Sequence, residues 1–131
     1  MDDQATVSLV TAWQAAANQQ HLEQLLALSD PQIVLGGPRG AGQGHHLLRE
    51  WVGRAGVQLT PRRIYAHGEQ VVIAQQAVWR DPETGAVTGE REVATRFRVV
   101  GQRIAEVVRY DNIAEALAAA GLTVADAVKP S

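Results

Sequence analysis

The sequence contains no cysteine. That excludes disulfides, thiolate nucleophiles and cysteine-ligated zinc or iron–sulfur sites, and it is compatible with a reducing, cytoplasmic setting. Positive charge is not in surplus either: a formal net charge of -2 makes no electrostatic case for nucleic acid or an anionic membrane as partner. The start Met1-Asp2-Asp3-Gln4 is acidic, and no positively charged region leads into an apolar run of roughly 7 to 15 residues, so no signal peptide is expected. No apolar stretch approaches the roughly 20 residues needed to span a bilayer.

What is present is the composition of an ordinary globular protein, 131 residues with 46% apolar and 20% charged side chains. One domain over residues 1–131 is expected, burying roughly two-thirds of the surface its unfolded chain exposes. Leu9, Val10, Trp13, Ala16 and Ala17 recur at helical spacing, and Leu22, Leu25 and Leu26 resume it after a polar break at Asn18 to Gln20. Ser29-Asp30-Pro31 ends these two helices, Ile33-Val34-Leu35 reads as a short buried strand, and a glycine-rich segment runs from Gly36 to Gly44. Leu47, Leu48, Trp51, Val52 and Ala55 form a third apolar helical face stopped by Gly56.

From residue 57 the period becomes that of strands: Val57 to His67, Gln70 to Arg80, Ala86 to Val100 and Arg103 to Asp111. The turns between them are short enough for hairpins, which predicts an antiparallel meander. A closing helix over Ile113 to Ala120 has Asn112 as its N-cap, Glu115 three residues on, and Gly121 as its stop. Lys129-Pro130-Ser131 reads as a loose tail. Helices first and a meander afterwards predict an α+β fold, with the helices on one face of a curved antiparallel sheet.

This layout resembles the nuclear transport factor 2-like superfamily, in particular its SnoaL-like and ketosteroid-isomerase-like branches. The resemblance is carried by the helix Val10-Thr11-Ala12-Trp13-Gln14-Ala15-Ala16, the run from Leu25 to Leu35 into the glycine-rich loop, the helix face with Trp51, and Phe97-Arg98-Val99 through Arg103-Ile104 to Asp111. It implies a cone-shaped fold with a pocket between helices and sheet, often in a homodimer. The isomerase chemistry transfers badly. Its general base would fall within Leu35-Gly36-Gly37, where there is no acid; its tyrosine matches Trp13 and its protonated aspartate matches Thr95. An indole N–H and a hydroxyl can donate a hydrogen bond, but neither replaces the base.

The polar interior is set by the register of the last hairpin. Gly101-Gln102 with glycine first suits a type II′ turn and places Val100 opposite Arg103. Counting on, Val99 meets Ile104, Phe97 meets Glu106, Thr95 meets Val108 and Val93 meets Tyr110 on one apolar face; Arg109 and Asp111 fall on the other. Glu106 is then the single interior acid, where desolvation would raise its pKa toward general acid or base work. The alternative is a glutamate at the sheet rim, solvated or paired with an arginine. Asp111 is a weaker catalytic candidate, since capping the next helix or surface pairing also explains it. A one-residue bulge between Glu106 and Asp111 would exchange the faces.

Other features point less sharply. The glycine-rich loop has neither dinucleotide nor Walker spacing and reads as a pocket rim, with Arg39 available to an anionic ligand. His21, His45, His46 and His67 show no metal-ligand spacing, so neither a metal nor another cofactor is expected. Trp13 and Trp51 fit a pocket or a core, while the face of Trp79 is open. The arginines of the last two strands read as a solvated or dimer-forming sheet face rather than a nucleic-acid surface.

The leading expectation is a small-molecule-binding domain, homodimeric and cytoplasmic. Its mostly apolar pocket would be lined by Trp13, Trp51, Thr95, Phe97, Glu106 and Tyr110, for a small apolar or weakly anionic molecule. The alternatives are a SnoaL-like isomerase, cyclase or hydrolase using Glu106 as acid/base, and a non-catalytic dimerisation module whose tryptophans fill the interior. The sequence does not decide whether the chain is an enzyme.

Overall fold

A computed structural model describes residues 3–38, 40–54 and 57–128. Arg39, Ala55, the Gly56 helix stop and the tail Lys129-Pro130-Ser131 lie outside the described residues.

The apolar spacing of the first segment produces α1 (Asp3–Asn18), which buries Val10, Trp13, Ala16 and Ala17. Asn18 ends it by turning its side chain to the sheet: the Asn18 amide donates to Leu59 O at 2.9 Å and accepts from Leu59 N at 2.8 Å. Helix α2 (Leu22–Leu28) follows, then β1 (Ser29–Gly37), β2 (Gly40–Gln43) and α3 (His45–Arg54). Strands β3 (Val57–His67), β4 (Gln70–Arg80), β5 (Val87–Val100) and β6 (Arg103–Tyr110) make the predicted meander, and α4 (Ile113–Ala120) closes it. The α4 caps are those expected: Asn112 Oδ1 accepts from Glu115 N at 2.9 Å, and Gly121 sits in the left-handed region at φ 71°.

The glycine-rich segment is a hairpin rather than a loop. Gly36 pairs with Ala41 and Gly37 with Gly40, and a Cβ on Gly42 would come 2.6 Å from Leu47 of α3. The glycine at position 42 thus leaves room for the Leu47 side chain.

The sheet has the order β2-β1-β6-β5-β4-β3. It is mixed, not wholly antiparallel, because β1 runs parallel to β6. The chain between them is long enough to permit that pairing. Two apolar clusters lie on its two faces. On the inner face α1, α2 and α3 pack over Val71, Ile73, Phe97, Val99 and Ile104. On the outer face α4 covers Tyr65, Val72 and Ala94 through Ala116 and Leu117. The helices are therefore not confined to one face: α4 occupies the opposite one.

The β5–β6 hairpin departs from the expected register at one residue. Gly101 and Gln102 both have positive φ, 57° and 65°, so the turn is type I′ rather than II′. Val100 still meets Arg103 and Val99 meets Ile104, but Arg98 then meets Glu106 and Phe97 meets Val107. Ala105 is the extra residue of a β-bulge, and beyond it the faces are exchanged. Val107 and Arg109 point inward; Glu106, Val108 and Tyr110 point outward. The physical reason is the carboxylate. Unbulged pairing would press Glu106 against Phe97, Val99 and Ile104, all buried, without a cation to offset the loss of water. The bulge hands it to Arg96 and Arg98.

Candidate ligand-binding pocket

Between the N-terminal helices and the inner face of the sheet lies a cavity of about 630 Å³, within the roughly 300–1,000 Å³ common for small-molecule sites. Helices supply Trp13, Gln14, Leu47 and Trp51; strands supply residues that alternate inward, among them Leu59, Ala77, Trp79, Thr95, Phe97 and Arg109. The β1–β2 hairpin adds a wall of Gly36, Gly37, Gly40, Ala41 and Gly42, nearly without side chains.

Trp13 is the fixed centre of the aromatic lining. It stacks on Trp51 with ring centroids 6.1 Å apart and planes 13° apart, and meets Phe97 edge-on at 5.7 Å and 72°. Its indole N–H donates to Ser29 Oγ at 2.9 Å, and that hydroxyl donates on to Leu25 O at 2.6 Å. The N–H is consumed within the scaffold and is not presented to a ligand. His45 braces the same corner, its Nε2 lying 3.2 Å from Ser29 O. Trp79, whose face the sequence leaves open, turns inward across from Gly89, where a Cβ would lie 3.9 Å from the indole ring.

The polar groups of the lining are few. Thr95 Oγ1 accepts from Gln75 Nε2 at 2.8 Å and keeps its own proton to donate. Gln14 is 3% exposed, and neither atom of its amide has a hydrogen-bond partner. Arg109 pairs across the hairpin with Thr95, and its Nε is buried without a partner. Among the described lining residues Arg109 is the only ionisable one; no Asp, Glu or His is present.

The residues predicted to share this site divide. Trp13, Trp51, Thr95 and Phe97 line it together. Glu106 does not: its Oε2 lies 3.5 Å from both Arg96 and Arg98 on the outer face. Burial pulls the Arg96 guanidinium down, but bonds to Tyr110 and Glu106 and their charges outweigh it and hold it above its ordinary value. Tyr110 is likewise outside the cavity, opposite Ala94 and packed beneath α4. Asp111 is at the surface, its Oδ1 2.9 Å from Arg91, with both side chains about half exposed. Arg39 lies outside the described residues. No group of three or more His, Asp or Glu that could hold a metal gathers among the described residues, and none of their helices is long and apolar enough to cross a membrane.

Sequence reasoning misses Gln14 and Arg109 and leaves the face of Trp79 open. Gln14 follows Trp13 and carries no signal of its own, whereas Arg109 falls outward only in a count that omits the bulge.

The profile of the SnoaL-like domain family matches residues 10–107. The chain belongs to the SnoaL-like domain family. The match runs from the middle of α1 through Val107 of β6, and so takes in most of the cavity of this SnoaL-like domain. Solved structures agree on the fold. A nuclear transport factor 2-like protein from Burkholderia xenovorans is 24% identical with a TM-score of 0.71, over 92% of this chain and 98% of that one. A candidate polyketide cyclase from Xanthomonas campestris is 21% identical with a TM-score of 0.70, over 88% and 96%. A protein from Catenulispora acidiphila with a ketosteroid isomerase-like fold, in complex with trimethylamine, is 22% identical with a TM-score of 0.67, over 93% and 97%. Among curated proteins none matches this sequence.

Proposed function

We propose that this SnoaL-like domain binds a small organic molecule with an apolar, ring-bearing body in the cavity beneath α1 and α3. The observation that carries the reading is the unfilled space itself: about 630 Å³ remains although all three tryptophans of the sequence line it. A purely structural module would use those rings to fill its interior. The trimethylamine complex of the Catenulispora protein is a case of this fold with a small organic molecule bound. The groups that would hold the body are Trp51, Trp79 and Leu59, backed by the buried Trp13 and Phe97, with Thr95 as a hydrogen-bond donor.

Binding is favoured over acid/base catalysis because the described lining offers no carboxyl, imidazole or phenol to move a proton. Glu106, the acid expected to do so, is turned to the other face of the sheet. The test is titration with the neutral dye N-phenyl-1-naphthylamine, followed by its emission on excitation of the tryptophans. The wild-type protein should bind it in one-to-one ratio, and Leu59→Trp, which fills the cavity from β3, should weaken it at least ten-fold. No binding, or equal binding to the filled variant, would overturn the reading.

A further inference from the structure

We infer that the ligand is an organic anion and that Arg109 holds its charged oxygen; the inference rests on the cavity being a ligand site. The arginines of β5 all have carboxylate partners: Arg91 with Asp111, Arg96 with Glu106, and Arg98 with Glu106 and Glu69. Arg109, which projects from β6 into the cavity, forms no ion pair or side-chain hydrogen bond with any described residue. It stands beside Gly37, where a Cβ would lie 4.0 Å from Arg109 Cβ, so the neighbouring strand leaves the guanidinium room.

An unpaired cation in an apolar, partly closed cavity is costly in the free protein and attracts a counter-charge. Its planar fork suits the paired oxygens of a carboxylate or sulfonate, or the oxygen of an enolate or phenolate. A second observation points the same way. Gln14, on the helix side of the cavity, is buried with both amide atoms unpartnered. Thr95, opposite Arg109, has a proton to give. A side-chain rotation of Gln14 would let it meet a ligand oxygen or hydroxyl. Cation and hydroxyl thus face one space from β6 and β5, with the Gln14 amide buried in its α1 wall, while Trp51, Trp79 and Leu59 offer apolar contact. The ligand class that matches is a flat aromatic or polycyclic acid bearing at least one further hydrogen-bonding oxygen. A cation such as trimethylammonium would be repelled.

Two dyes that differ by one group provide the test: 8-anilinonaphthalene-1-sulfonate and its neutral parent N-phenyl-1-naphthylamine. Arg109→Met should weaken the sulfonate dye at least ten-fold and leave the neutral dye within two-fold, and Arg109→Lys should restore part of the loss. Arg103→Gln, at the exposed β5–β6 turn, should change neither. Arg109→Gln, read the same way, replaces the Met variant if that one fails to fold. An unchanged affinity for the sulfonate dye, or equal losses for both dyes, overturns the assignment of Arg109 while the pocket stands. Failure of the wild-type protein to bind either dye overturns both.

Discussion

Replacing Arg109 with methionine should make the free protein more stable. Arg109 is half-buried in an apolar cavity, its Nε is sealed off without a partner, and no carboxylate lies in the described lining. A buried donor left unbonded costs about 1–3 kcal/mol. Full desolvation of an unpaired charge costs several kcal/mol, about a third of which is a fair share for a group still open to the cavity mouth. Methionine keeps an unbranched stem beside Gly37 and sheds both penalties. The structure therefore gives a gain of about 1–2 kcal/mol, after allowing for the packing that the longer arginine stem provides. For a chain of this size that is a rise of about 3–7 °C in melting temperature. Urea unfolding followed by tryptophan emission is the assay, with an unchanged slope required so that the midpoint reports stability alone. A variant less stable than wild type by about 0.5 kcal/mol or more would show that Arg109 has a partner in the free protein, and the case for an anionic ligand would fall with it.

Two further outcomes separate the faces of the sheet. Glu106→Gln should leave the affinity for both dyes within two-fold, because Glu106 is on the outer face. It should cost about 1 kcal/mol, since Arg96, whose side chain is only 13% exposed, loses its carboxylate; a large change in dye binding by equilibrium titration would contradict the observed register. Trp13→Phe should cost about 2–3 kcal/mol in denaturant unfolding, from the lost bond to Ser29 and the space left beside Trp51 and Phe97. A cost below about 0.5 kcal/mol would mean that the Ser29 bond does not fix the indole.

Much of the fold was legible because its signals are local and periodic. The polar break at Asn18 to Gln20, the strand spacing after Val57, and the Asn112 and Gly121 caps all act within a few residues, and the structure follows them closely. The β1–β2 hairpin was not legible, because glycine carries no side-chain pattern and the reason for Gly42 is a contact with Leu47 in another element. The parallel pairing of β1 with β6 joins segments remote in sequence and leaves no local trace. The aromatic half of the pocket was readable, since Trp13, Trp51 and Phe97 lie before the point where the register slips. Of the polar half only Thr95 was. Parity carries an error to every later residue, so one uncounted residue sends Glu106 and Tyr110 inward and Arg109 outward together.

Two deletions in β6 test that parity directly. Removing Ala105 takes out the extra residue and leaves every later pair in place: Arg98 still meets Glu106, Phe97 still meets Val107, and Thr95 still meets Arg109. The shortened chain should unfold cooperatively, at a cost within the about 0.5–3 kcal/mol of an ordinary substitution, and keep its preference for the sulfonate dye. In an unbulged strand the same deletion would instead exchange every later face. Removing Val108 has no such outlet. If the bulge persists, Arg109 turns outward beside Arg96 and Tyr110 leaves its place beneath α4. If the bulge is lost instead, Arg109 and Tyr110 keep their places, but Glu106 enters a cluster in which Phe97 and Ile104 have no exposed surface. Either route costs several kcal/mol, a large part of the roughly 5–15 kcal/mol available to a domain. Adding Glu106→Leu to the Val108 deletion opens the second route and should recover stability, while the same substitution in the full-length chain should destabilise it by leaving Arg96 without its carboxylate. Opposite signs for one substitution in two backgrounds would amount to a coupling energy of more than about 1 kcal/mol, as expected of residues in one network. If the two deletions cost alike, or Glu106→Leu destabilised both backgrounds, the bulge would not be what keeps the carboxylate out of the core, and the inward position of Arg109 would need another cause.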